Sequence, residues 1–141
     1  MVNLYVPFYE LPLRHLVLHL DGTTSGPTAF SGTIGKALAK CHDLSIVKFE
    51  ARQNNLPNAL HDVADLAISK DQQYLYNICK AIEIGAVTDS LTKKEPGPFF
   101  HSQWLTTANR ILCLYVASTS LSTELVLLTV YVLRVYALVW F

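Results

Sequence analysis

The sequence predicts a mainly α protein, an irregular bundle of about five helices spread over residues 1–141 as one helical region. Three observations carry that expectation. Apolar residues recur at helical spacing, most clearly Leu75, Ile78, Cys79 and Ile82 at i, i+3, i+4 and i+7. Turn-forming clusters rich in Gly, Pro, Ser and Thr separate these stretches. Apolar residues reach 51% while charged residues fall to 16%, below the usual quarter, which excludes a disordered chain and leaves ample material for a core.

Residues 11–20 form the first expected helix, with Pro12 in its first turn, where a missing N–H costs nothing. Residues 21–30 carry Asp-Gly-Thr-Thr-Ser-Gly-Pro and read as a loop. Ser31 suits an N-cap, and residues 32–41 follow as a second helix. Residues 44–49 suggest a short extended piece, and residues 53–58, broken by Pro57, a loop. Ser69 and Gln72 make a capping box for a third helix over 70–84, and Gly85 supplies its stop. Residues 92–98, Thr-Lys-Lys-Glu-Pro-Gly-Pro, are expected as an exposed loop. Ser102 caps a fourth helix over 103–117. Its apolar stripe is Trp104, Leu105, Ala108, Ile111, Leu112 and Tyr115, and its opposite face carries Thr107, Asn109 and Arg110, so it reads as amphipathic.

The last expected helix, residues 121–141, is of a different kind. Arg134 is its sole charge after Glu124, and the helix is hydrophobic on almost every side. Such a helix belongs in a core or in a bilayer. As a membrane span it is short, because a hydrocarbon core of about 30 Å needs roughly 20 apolar residues. Arg134 within it adds a cost of roughly 2.5–3.5 kcal/mol on insertion scales. The favoured expectation is a core helix that has lost its partner, with Arg134 on the one polar side towards Glu124; the alternative is a single-pass anchor. An orphaned core helix of this kind also implies self-association.

Charge and cysteine usage limit the remaining classes. Eleven basic residues balance eleven acidic ones, so no global field draws the chain to nucleic acid or to anionic lipid. Cys41, Cys79 and Cys113 lie 38 and 34 residues apart, without a C-x-x-C pair, and read as free thiols packed like small hydrophobes in a reducing compartment. The N-terminus lacks the pattern of a signal peptide. An intracellular location, nuclear or cytoplasmic, is therefore expected, with a membrane as the alternative.

Motifs that carry chemistry are incomplete. His15 and His19 stand at i, i+4, which brings two imidazoles onto one helix face and makes a weak candidate metal pair. The Glu of H-E-x-x-H is missing. Gly32, Gly35 and Lys36 hint at a phosphate loop, yet Phe30 and Ala37 occupy the positions where a Walker A sequence needs Gly and Ser or Thr. A helix N-terminus with closely packed glycines is the better reading. Glu10, Asp21, Asp43, Asp62, Asp65, Asp71, Asp89 and Glu124 offer carboxylates, but two-metal chemistry needs them to converge, and no G-x-S-x-G elbow accompanies the serines. No cofactor and no catalytic residue is expected.

Several stretches, taken in order, resemble transposon-derived animal proteins. They are Glu10-Leu-Pro-Leu-Arg-His15, residues 20–27 with 30–36, residues 104–112 and the ending Val135-Tyr-Ala-Leu-Val-Trp-Phe141. Those proteins are distantly similar to hAT-type transposases, whose catalytic core is RNase H-like with a helical insertion. The resemblance implies an incomplete domain, a fragment of a larger RNase H-like or helical protein. Leu4 and Pro7 stand where a Cys-x-x-His-like element is expected, and Gln103-Trp104 replaces an Arg-Trp pair. The family's catalytic acids have no counterpart here. The implied function is that of a transposase-derived, catalytically inactive chain, with protein association or weak DNA contact as its residual activity.

Overall fold

A computed structural model describes residues 6–21, 33–38, 40–54, 56, 70–88, 91 and 104–140. The protein is mainly helical, and no strand occurs among the described residues. Among the described residues five helices organise it: α1 (Val6–Asp21), α2 (Thr33–Leu38), α3 (Lys70–Ile84), α4 (Trp104–Ala117) and α5 (Thr123–Tyr131). A 3-10 turn, Cys41–Asp43, follows α2. After α5 the chain continues as a π-helical turn, Val132–Tyr136, and a 3-10 turn, Ala137–Trp140.

Helix α4 is the axis of the fold. Helices α1, α2, α3 and α5 and the Cys41–Asp43 turn all pack on it, and every residue from Trp104 to Ala117 is buried. The amphipathic reading of this helix is thereby corrected. Its stripe of Trp104, Leu105, Ala108, Ile111, Leu112 and Tyr115 is buried as expected, but so are Thr107, Asn109 and Arg110. Burial of such groups is tolerable when they are hydrogen-bonded. Asn109 Nδ2 donates to the Asp71 carbonyl in the first turn of α3 at 3.0 Å. Arg110 Nη1 donates to the Leu38 carbonyl at the end of α2, also at 3.0 Å. A guanidinium suits that place, since the C-terminal carbonyls of a helix lack intrahelical donors and carry partial negative charge.

Helix α1 starts earlier than expected, so Pro12 lies inside it rather than in its first turn. The missing N–H costs one backbone hydrogen bond, and Pro12 itself is exposed. The opposite side of the helix supplies the compensation: Leu13 and Val17 are buried, with Leu16 and Leu20 packed against the same core. Helix α3 spans the expected residues and buries Leu75, Ile78, Cys79 and Ile82. Gly85 ends it at φ +91°, a conformation that costs glycine little. The Gly85 and Ala86 N–H groups both return to the Ala81 carbonyl, at 2.9 and 3.1 Å, which closes the helix as a Schellman-type motif does.

Residues 45–54 are irregular rather than a paired strand. The Val47 N–H donates to the Val116 carbonyl at 3.0 Å, and the Arg52 N–H to the Ile82 carbonyl at 3.1 Å, so this segment runs along the ends of α3 and α4. The expected caps Ser31, Ser69 and Ser102, the loop 92–98 and most of the loop 21–30 lie outside the described residues.

Candidate functional site

The terminal segment carries apolar side chains on both its buried and its exposed face. Ser122 caps α5, its hydroxyl accepting from the Leu125 N–H at 3.1 Å. Leu125, Leu128, Val132, Leu133, Tyr136 and Ala137 face the core. The other face is exposed: Leu127 at 48%, Val135 at 49% and Leu138 at 41% stand along it, with Tyr131 half-buried and Glu124 and Arg134 exposed. Spacings of three and four residues put Glu124, Leu127 and Tyr131 on one face of α5, and Arg134, Val135 and Leu138 are exposed in the turns that follow it. Among the described residues no helix is long and apolar enough to cross a membrane. The alternative of a single-pass anchor over 121–141 therefore finds no support in the described helices. Half of the helix's apolar side chains fill the core beside α4 and α1, and the change of pitch after Tyr131 breaks it as a uniform span.

A second feature lies beside α4. The Cys41–Asp43 turn, residues 44–46, α3 and α4 line a partly open cavity of about 350 Å³. Its lining includes the buried Cys41, Tyr74 and Cys113 and the exposed Leu44, Ser45 and Ile46. Cys41 is fully buried and Cys113 is 7% exposed. The Cys113 sulfur lies within hydrogen-bonding reach of the Cys41 thiol and the Tyr74 hydroxyl, with Arg110 nearby. Arg110 and Cys113 are separated by three positions on α4 and so share a face. Hydrogen bonding from Cys41 holds the Cys113 thiol below its ordinary range, and Tyr74 and the Arg110 charge add to this, while burial opposes it. Burial pushes the Tyr74 hydroxyl well above its ordinary value, and the neighbouring Cys113 reinforces the shift. Cys79 differs: it is fully buried elsewhere on α3, and burial pushes its thiol up.

Sequence spacing suggested no relation among the three cysteines. All three are free thiols, and the reading as small buried hydrophobes describes Cys79 well. Cys41 and Cys113 are brought together only by the packing of the turn against α4. A local hint was the placing of a basic residue, Arg110, one turn before Cys113.

The sequence-nominated metal pair, His15 and His19, sits on α1 with both side chains exposed. Among the described residues no group of three or more His, Cys, Asp or Glu side chains converges to hold a metal ion. Gly35 and Lys36 belong to the short helix α2, with Lys36 exposed. Comparison of the chain with protein-family models, with curated proteins and with solved structures returns no match.

Proposed function

We propose that this chain is a non-catalytic helical association module, of transposase-derived type, that pairs with a second copy of itself through the exposed stripe of α5. The observation that carries the reading is that stripe: Leu127, Val135 and Leu138 expose large apolar side chains along a helix whose other face is committed to the core. A second copy suits it by charge. In an antiparallel pairing centred near Thr129, Glu124 of one copy lies opposite Arg134 of the other and Leu127 opposite Tyr131 as the apolar centre, with Val135 over Thr123 and Leu138 over Ser120 at its ends. Such an isologous contact closes on itself and stops at a dimer. Zero net charge adds no long-range repulsion between copies.

The stripe from Glu124 to Leu138 is roughly 20 Å long at 1.5 Å per residue. That is less than a standard interface, so dissociation on the order of micromolar is expected. The transposase-derived part of the reading is supported by the sequence resemblance, and the three free thiols support a reducing compartment, nuclear or cytoplasmic. Balanced charge gives DNA contact the weaker place among the residual activities.

Sedimentation velocity over a concentration series tests the pairing. Dimer formation in the wild-type chain, loss of it in Leu127→Lys, weakening in Glu124→Arg and recovery in Glu124→Arg with Arg134→Glu are expected. A chain that stays monomeric throughout, or a Leu127→Lys variant that dimerises as well as wild type, removes the proposal. Magnesium- or manganese-dependent DNA cleavage that disappears on carboxylate substitution would overturn the non-catalytic reading.

A further inference from the structure

We propose that Cys41 and Cys113 form a modification site, an oxidisable dithiol that reacts with hydroperoxides and closes to an intramolecular disulfide. Four observations converge on it. The two thiols lie within hydrogen-bonding reach of each other. Both line one cavity, of about 350 Å³, which exceeds the volume that a water-sized molecule needs. Leu44, Ser45 and Ile46 of its lining are exposed, and Cys113 keeps 7% exposure, so Cys113 is the sulfur that a small peroxide meets. Arg110, one helical turn before Cys113, and the Tyr74 hydroxyl provide a cation and a donor for a thiolate at Cys113.

The geometry assigns separate roles to the pair. Cys113, within reach of both Cys41 and Tyr74, is the attacking sulfur. Its thiolate displaces at the O–O bond of the hydroperoxide, so that an S–O bond forms, the O–O bond breaks, and the alkoxide or hydroxide leaves and takes up the proton that Cys113 released. Cys113 is then a sulfenic acid. Cys41 loses its proton and attacks that sulfur; the S–S bond forms, and hydroxide leaves to combine with the proton as water. In total two thiols and one hydroperoxide yield one disulfide, one alcohol and one water, with two electrons passed to the peroxide. Cys41 opens a short turn followed by irregular chain, so it, rather than α4, is the element that moves in to the bond length of about 2.05 Å. The bond would lock the Cys41–Asp43 turn against the central helix.

Cys79 provides the internal control, because it lies outside the cavity and its thiol is pushed up by burial. The folded chain is treated with equimolar hydrogen peroxide, quenched, unfolded, alkylated with iodoacetamide and mapped by peptide mass spectrometry. A Cys41–Cys113 link, lighter by two hydrogens than the separate thiols, with Cys79 alkylated, is expected. In Cys41→Ser, dimedone is expected to trap a sulfenic acid at Cys113. The proposal is overturned if all three thiols survive, if Cys79 oxidises as fast as Cys113, if wild-type Cys113 overoxidises without linking to Cys41, or if the link forms only in urea. The wild-type map decides the matter even if the serine variant does not fold.

Discussion

The hydroxyl of Tyr115, in the last turns of α4, donates to the backbone carbonyl of Glu50 at 2.6 Å. It also accepts from Arg52 Nε at 2.9 Å, and the Arg52 guanidinium lies 5.8 Å from the Tyr115 ring centroid. Phe49 meets the same ring edge-on at 6.1 Å. One fully buried side chain therefore fastens the irregular segment 45–54 to the central helix. Tyr115→Phe keeps the ring contacts and removes both hydrogen bonds. Its expected cost is about 2–3 kcal/mol, since the bond to the Glu50 carbonyl contributes roughly 1 kcal/mol and the charge-assisted bond from Arg52 roughly 1.5 kcal/mol at a site partly open to water. Denaturant unfolding measures the loss, and faster hydrogen exchange at the Val47 and Arg52 amides is expected to locate it. An unchanged midpoint with unchanged exchange would show that the segment is held without Tyr115.

Thr107 sits in the first turn of α4 with its Oγ1 fully buried and without a hydrogen-bond partner. A buried hydroxyl in that state carries an uncompensated desolvation cost. Thr107→Val keeps nearly the same shape and removes the hydroxyl. A gain of roughly 1 kcal/mol is expected, read as a higher melting temperature. A loss of stability would show that the hydroxyl is satisfied in solution.

Gly85 terminates α3 at φ +91°, where a side chain is strained. A Cβ there would meet Ala51 Cβ at 3.4 Å, which is close contact rather than a clash. The backbone, not the neighbour, sets the penalty. Gly85→Ala is expected to destabilise by about 1 kcal/mol, and Gly85→Asn, which tolerates this region better, by less. Equal losses in the two variants would shift the cause to crowding against Ala51.

Alkaline pH is expected to unfold the protein. Burial raises both Cys79 and Tyr74 above their ordinary values of 9.0 and 10.0. Above those values the unfolded chain loses protons that the native chain keeps, so fewer protons are bound in the unfolded state and stability falls as pH rises. Each group that stays protonated contributes a slope of roughly 1.4 kcal/mol per pH unit. Cys113 opposes this below pH 9, because its folded value is lowered and its contribution is lost on acidification. Chemical denaturation from pH 8 to 11 checks the sign: Cys79→Ala is expected to flatten the alkaline slope by about one proton. A wild-type stability that rises across this range would refute the assignment.

Much of the helical order was legible because its signals are local. For α3, the periodic Leu75, Ile78, Cys79 and Ile82 and the stop at Gly85 lie within one stretch of chain, and the helix spans the expected residues. The Ser122 cap of α5 is a local signal of the same kind, which the sequence reading passed over. The start of α1 was misjudged because Pro12 is a strong local breaker, and only packing of Leu13 and Val17 into the core outweighs it.

The sequence by itself determined the class of this protein, mainly helical, and the identity of the residues with inward-facing periodicity, because backbone hydrogen bonding and apolar spacing act over a few residues. The tertiary structure alone decided three things. It enclosed α4 on its polar side too, since Asn109 and Arg110 find carbonyl partners on α3 and α2. It divided the terminal helix into a core face and an exposed stripe, because α4 and α1 cover only one side of it. And it joined Cys41 to Cys113 across residues that no local pattern connects, because only the packing of a turn against a central helix brings two such distant sulfurs into one cavity.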